Sequence, residues 1–329
     1  MNDSPFDFGG ILAPYLPAKG VAVAVGVSGG PDSMALCRVL SQYATGPVHA
    51  VTVDHGLRPE AAQEAAQVGA WLAGWNDVQH IILKREKAGA TRLQEKARED
   101  RYALMAEYCA QNDIDAVFTA HHQDDQAETF LFRLAKGSGL DGLGAMRSVH
   151  AYNDTLKIIR PFLDVPKSAL VSYCETHSLP FVTDPSNEDS RFARVRLRDS
   201  YEILNREGLS TKRLAVTASR LARARDALDF YAGRILAQAI FENERNRIVL
   251  QSALVISEPE EVRLRVLAGL IDRLAAKREY GPRLERLEEL SLQVFGDPGF
   301  KKASLAGCLV GFDRKNGLIT VETEQKGLN

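Results

Sequence analysis

Cysteine is scarce in this chain. Cys37, Cys109, Cys174 and Cys308 are the only four in 329 residues, and no two form a C-x-x-C pair. That spacing excludes a zinc ribbon and a short cluster-binding motif, and it reads as four buried thiols. Long apolar runs are also missing, and Asp3 and Asp7 stand near the start where a secretion signal would carry basic residues. A cytoplasmic protein with no membrane association is therefore expected. An excess of one charge is absent too. The net charge of −2 excludes a surface coated in basic residues, although it leaves room for one local basic face. There is no internal repeat and no low-complexity tract.

What remains is a chain with 45% hydrophobic residues, long enough for two domains. Val21, Val23, Val25 and Val27 form a short apolar run that suits a central parallel strand, and Ser28-Gly29-Gly30-Pro31-Asp32-Ser33 follows it. Pro31 stands where a helix begins, and Met34 to Leu40 continues at helical spacing. A glycine turn at a helix N-terminus presents backbone N–H groups to an anion. The Gly-Lys-Ser/Thr ending of the common nucleotide loop is missing, and Asp32 implies Mg²⁺ if this turn binds phosphate. An ordinary turn capped by Ser and Asp is the alternative.

Further strands are predicted at His49–Val53, Val78–Leu83, Ala116–Thr119 and Leu156–Ile159, with helices between the first four. The alternation predicts an α/β fold with a doubly wound, mainly parallel sheet. Three polar clusters fall at strand ends, where such sheets bind ligands: Ser28–Ser33, Asp54–Arg58 and His121–Thr129. Asp125, Glu128 and Thr129 share a helix face, while Asp124 has the simpler reading of a helix N-terminal charge. In the helix from Arg92 to Asn112, Leu93, Ala97, Leu104, Met105 and Tyr108 define an apolar arc, with Arg101 inside it and Arg98 at its edge. Either guanidinium needs an anion, from a structural salt bridge or a phosphate. Gly137–Gly144 is too glycine-rich for a helix and reads as a flexible loop.

The second half is expected to be mainly helical, over 212–241, 258–276 and 282–294, closed by a hairpin around Lys315-Asn316-Gly317. Between Arg191 and Arg225 stand ten basic residues against three acidic ones. This run reads as a phosphate-facing surface or as a solvated connecting helix. Residues 1–210 are assigned to one domain and 211–329 to a second.

Taken together, Ser28–Ser33, Val53-Asp-His-Gly-Leu-Arg58, Ala97–Tyr102, Ala120–Thr129, Gly137–Leu143, Asp184–Asn187 and Arg194–Arg198 resemble the tRNA(Ile)-lysidine synthases, a branch of the PP-loop family of N-type ATP pyrophosphatases. The resemblance covers about residues 20–200 well and 210–329 more loosely. It implies a ligase that uses ATP, Mg²⁺ and free lysine to convert the wobble cytidine of the CAU-anticodon isoleucine tRNA to lysidine. It also implies roles. Ser28, Gly29, Gly30, Pro31, Asp32 and Ser33 hold pyrophosphate; Asp32 and Asp125 hold Mg²⁺; Asp124 or Asp125 contacts lysine. Arg98 or Arg101 neutralises the α-phosphate, Asp54 borders the adenosine, and Arg194, Arg196 and Arg198 position RNA backbone. A tRNA thiolase of the same fold depends on paired cysteines, and a small-molecule amide synthetase leaves the basic run without a purpose. An inactive RNA-binding module has no need of Asp32 and Asp125. Oligomeric state is left open, a homodimer being one option.

Overall fold

A computed structural model describes residues 6–54, 61–75, 77–84, 93–182, 201–274 and 283–324, without the side chains of 93–98 and 201. The chain forms two compact units, one of Met1–Lys136 with Gly144–Ser219, the other of Gly137–Leu143 with Arg220–Asn329.

In chain order the elements up to the division are α1 (Phe8–Leu12), β1 (Val23–Gly26), α2 (Pro31–Tyr43), β2 (Val48–Asp54), α3 (Ala61–Leu72), β3 (Val78–Lys84), α4 (Leu93–Gln111) and β4 (Ala116–Phe118). Then come α5 (Gln123–Leu134), α6 (Leu140–Leu143), β5 (Val149–Ala151), β6 (Lys157–Ile159), α7 (Lys167–Thr176) and α8 (Tyr201–Arg206). The first six strands form one sheet in the order β3-β2-β1-β4-β6-β5. All neighbours run parallel except β5, which is antiparallel to β6.

The apolar run in β1 is explained by burial on both faces. Val23 and Val25 turn toward a core shared with Phe118, Leu36, Leu40, Phe162 and Leu170. Ala24, Val51 and Val117 turn the other way, against Tyr102, Met105 and Cys109 of α4. Each large side chain buried this way contributes roughly 1.5–3 kcal/mol. Among the described side chains of α4, Tyr102, Met105 and Cys109 are buried, while Leu104 and Tyr108 are half-buried, Tyr108 packing against the same cluster; Leu93 and Ala97 lie outside the described side chains. Strand β1 pairs with β2 on one side and β4 on the other. The chain order reverses there, which opens a crevice beyond the carboxyl ends of β1 and β4.

The second unit continues through α9 (Thr211–Ala239), which carries the division between the units, then β7 (Ile240–Glu244), β8 (Arg247–Gln251), α10 (Ala253–Ile256), α11 (Glu260–Leu274) and α12 (Leu284–Gly296). It ends with β9 (Lys302–Leu305), β10 (Cys308–Asp313) and β11 (Leu318–Thr323). The predicted hairpin is real: β10 and β11 pair antiparallel, and the Asp313 carboxylate accepts the N–H groups of Lys315 and Asn316 in the turn. It belongs to a larger sheet than expected, in the order β7-β8-β11-β10-β9. One face of that sheet packs Ile248, Leu250, Val310, Ile319 and Val321 against Leu236, Leu267, Ile271 and Leu290 of the helices.

Residues 137–144 also depart from the expected loop, since Leu140–Leu143 forms a helical turn. An ion pair from Asp141 to Arg265 at 2.9 Å holds this turn within the second unit. Among the described residues, no helix is long and apolar enough to cross a membrane.

Candidate functional site

The turn after β1 is built by its own hydroxyls. Ser28 N–H donates to Ser33 Oγ at 3.1 Å, and Ser33 Oγ donates to the Gly30 carbonyl at 3.0 Å. Ser28 Oγ lies 3.3 Å from Ser33 Oγ. Gly29 has φ +86°, and a Cβ there would sit 2.8 Å from Val68 and 3.0 Å from Val182. Both the backbone conformation and the space therefore require glycine. Helix α2 starts at Pro31 behind Gly30, which offers no side-chain cap. Its first-turn N–H groups and dipole are left for an anion.

Across the crevice, β4 ends and His122 caps α5. Its N–H donates to Asp125 Oδ2 at 3.0 Å, the carboxylate half of a capping box. The His122 ring is 4% exposed and faces three carboxylates. Nε2 lies 3.5 Å from Asp32 Oδ2 and 3.5 Å from Asp125 Oδ2, and Nδ1 lies 3.6 Å from Asp124 Oδ2. These are charge contacts rather than full hydrogen bonds. Burial alone lowers the pKa of His122, but interaction with Asp32 and the charges of Asp125, Asp32 and Asp124 outweigh it and raise the pKa above its ordinary 6.5. Asp124 has a second task, since its Oδ2 accepts the Lys167 N–H at 2.9 Å and so docks the start of α7.

Even beside a charged imidazole, three carboxylates would outnumber the positive charge next to the glycine turn. Asp32 Oδ1 is buried and has no hydrogen-bond partner among the described residues. A hard, oxygen-seeking cation fits that arrangement. No group of three or more His, Cys, Asp or Glu among the described residues forms a metal cage. Mg²⁺ is commonly held by one or two carboxylates together with substrate phosphates, so the donors present suit it.

The remaining expected residues separate. Asp54 ends β2, next to β1 in the sheet, and is half-buried. Arg101 is half-buried, with its guanidinium 5.3 Å from the centre of the Tyr102 ring and a buried Nε without a hydrogen bond among the described residues. The Arg98 side chain and Arg194, Arg196 and Arg198 lie outside the described residues. The structure therefore brings together Asp32, Asp124 and Asp125 around His122, which the sequence placed in the polar cluster His121–Thr129 without a role of its own. Its signal was its place beside two aspartates at a strand end.

A mainly parallel sheet, with a glycine turn leading into a helix at its reversal point, defines a doubly wound α/β protein. Residues 9–206 match the model of the PP-loop domain family. The chain is 44% identical to the tRNA(Ile)-lysidine synthase of Methylobacterium sp. (strain 4-46) over 283 residues, which is 84% of this chain and 82% of that relative. It is 33% identical to the enzyme of the same name from Wolbachia pipientis wMel, over 92% of this chain and 71% of the relative. The chain belongs to the tRNA(Ile)-lysidine synthase family, within the PP-loop group. Among solved structures, the U34-tRNA thiolase NcsA from Methanococcus maripaludis, which carries a 4Fe-4S cluster, superposes with a TM-score of 0.55. The match covers 66% of this chain and 78% of the thiolase at 16% identity, a likeness of fold alone.

Proposed function

We propose that the protein ligates lysine to carbon 2 of the wobble cytidine in the CAU-anticodon isoleucine tRNA, at the expense of ATP. The oxygen on carbon 2 attacks the α-phosphorus and releases pyrophosphate; the lysine amine then displaces AMP and leaves lysidine. The observation that carries this reading is the meeting of the Ser28–Ser33 turn with Asp32, His122, Asp124 and Asp125 at the β1/β4 reversal, in a chain of this family.

In this reading the turn receives pyrophosphate on the N–H groups at the start of α2, and Asp32 and Asp125 hold Mg²⁺. When bound, that ion offsets phosphate charge in the leaving group. His122 keeps the three carboxylates together despite their repulsion. Asp124 or Asp125 receives the lysine ammonium, Arg98 or Arg101 faces the α-phosphate, and Asp54 borders the adenosine. Arg194, Arg196 and Arg198 hold RNA backbone, with the target base splayed out of its loop. Residues 1–210 form the catalytic domain and 211–329 the substrate domain of a cytoplasmic enzyme.

A thiolase reading is disfavoured by the cysteines. All four are buried, and burial pushes the thiols of Cys37, Cys109 and Cys174 up to about 12, far from the reactive thiolate form. The test supplies ATP, Mg²⁺, labelled lysine and the isoleucine tRNA. Label in the RNA with AMP as product is expected. ADP as product, or transfer that persists in Asp32→Ala, overturns the mechanism.

A further inference from the structure

The Val27–Ser28 peptide is gripped at both ends. One residue beyond the last ladder pair of β1 and β2, Gly26 with Val51, the Val27 carbonyl accepts a hydrogen bond from Thr52 Oγ1 at 2.8 Å. The other end of the same peptide, Ser28 N–H, is held by Ser33 Oγ at 3.1 Å. Rotating this peptide plane breaks both bonds, and its orientation decides how the chain enters the left-handed Gly29. Thr52 Oγ1 also lies 2.9 Å from His80 Nε2. A hydroxyl has one proton, and here it goes to Val27, so the proton of the second bond comes from the ring, with Nε2–H donating.

Two features set this pair apart from ordinary packing. Thr52 is 6% exposed between Val51 and Val53, where the sheet alone favours another valine. A buried hydroxyl is costly unless it is bonded. On the other side, α3 makes room for the ring: a Cβ at Gly69 would lie 2.9 Å from His80 Nδ1. We infer that Thr52 and His80 are a positioning pair that orients the Val27–Ser28 peptide, and through it the anion turn, for the phosphates of ATP. This inference rests on reading the turn as the nucleotide cradle.

The test uses the full-length protein, with binding of labelled ATP by equilibrium dialysis and steady-state KM values for ATP and lysine. Thr52→Val is expected to weaken ATP binding and raise its KM about tenfold, with the lysine KM unchanged. Thr52→Ser, which restores the hydroxyl, is expected to stay within about twofold of the parent. His80→Gln keeps an N–H donor and is expected to bind ATP more tightly than His80→Leu by about threefold or more. Unaltered ATP binding in folded Thr52→Val overturns the inference, as does a parallel rise in both KM values that Thr52→Ser does not rescue. If Thr52→Val does not fold, equal ATP binding by His80→Leu and His80→Gln overturns it. A parent protein that binds no ATP fails before any variant is compared; that result removes the cradle reading and the inference with it.

Discussion

Each unit of the molecule buries one basic group among three carboxylates, and the two clusters are built in opposite ways. In the second unit, Arg265 is 8% exposed and meets Asp141 at 2.9 Å, Glu261 at 2.7 Å and Asp229 closer still. Its acids come from α6, α11 and α9, so the cluster ties three elements with charge-assisted hydrogen bonds. In the first unit, His122 stands 3.5–3.6 Å from Asp32, Asp125 and Asp124, and Asp32 Oδ1 has no hydrogen-bond partner among the described residues. The tight cluster directs three short bonds of Arg265 to the fold, leaving only its Nε without a hydrogen-bond partner among the described residues. The loose one retains capacity for a ligand, and only the loose one lies at the carboxyl ends of parallel strands.

The two clusters differ most at Asp32, whose Oδ1 has no hydrogen-bond partner among the described residues. Asp32→Ala is expected to lower lysine transfer to tRNA on the order of a thousandfold, with the thermal unfolding midpoint unchanged or raised because a repelling carboxylate is gone. A large fall in stability instead makes the first cluster a fold-holding device like the second. Next in size, Arg265→Leu strands three carboxylates, and denaturant unfolding is expected to show a loss of about 2–3 kcal/mol, below the fully buried range because the acids are partly in water. Replacing the imidazole by His122→Gln is expected to reduce transfer about tenfold to a hundredfold, as removal of a positioning group does, with a smaller change in stability. The smallest effect is expected for Asp141→Asn, about 1 kcal/mol or less by the same denaturant measurement, since Arg265 keeps Asp229 and Glu261. A larger loss there makes residues 137–143 depend on a single ion pair.

Legibility differed along the chain for physical reasons. Strand β1 was readable because a strand buried on both faces must be apolar throughout, and its turn because Gly29 has no substitute at φ +86° with Val68 and Val182 so near. The β10–β11 hairpin was readable from alternation and its Asn-Gly turn. Strands β7 and β9 were not: Ile240–Glu244 and Lys302–Leu305 are largely exposed and carry little apolar pattern. The turn at Leu140–Leu143 was missed because its glycines disfavour a helix, while the Asp141 partner lies far along the chain. In the site, Asp32, Asp124 and Asp125 could be named from motif and strand-end position, whereas His122 had only its place beside two aspartates, which does not foretell a buried ring among three carboxylates. Arg101 was placed inside the apolar arc of α4, where Met105 is buried as expected, but Tyr102 and Cys109, not named in that arc, are buried beside it.

By itself, then, the sequence determined the mainly parallel sheet, the glycine turn after β1 and which residue types stand at the strand ends, because these follow from local burial pattern and backbone conformation. Only the tertiary structure decided that Asp32 and His122, ninety positions apart, stand within 3.5 Å. That distance exists because β4 lies beside β1 in the sheet. The same holds for Thr52 and His80 under the Val27 carbonyl, where three neighbouring strands converge on one peptide. Strand order is set by the packing of the whole unit, and no short segment encodes it.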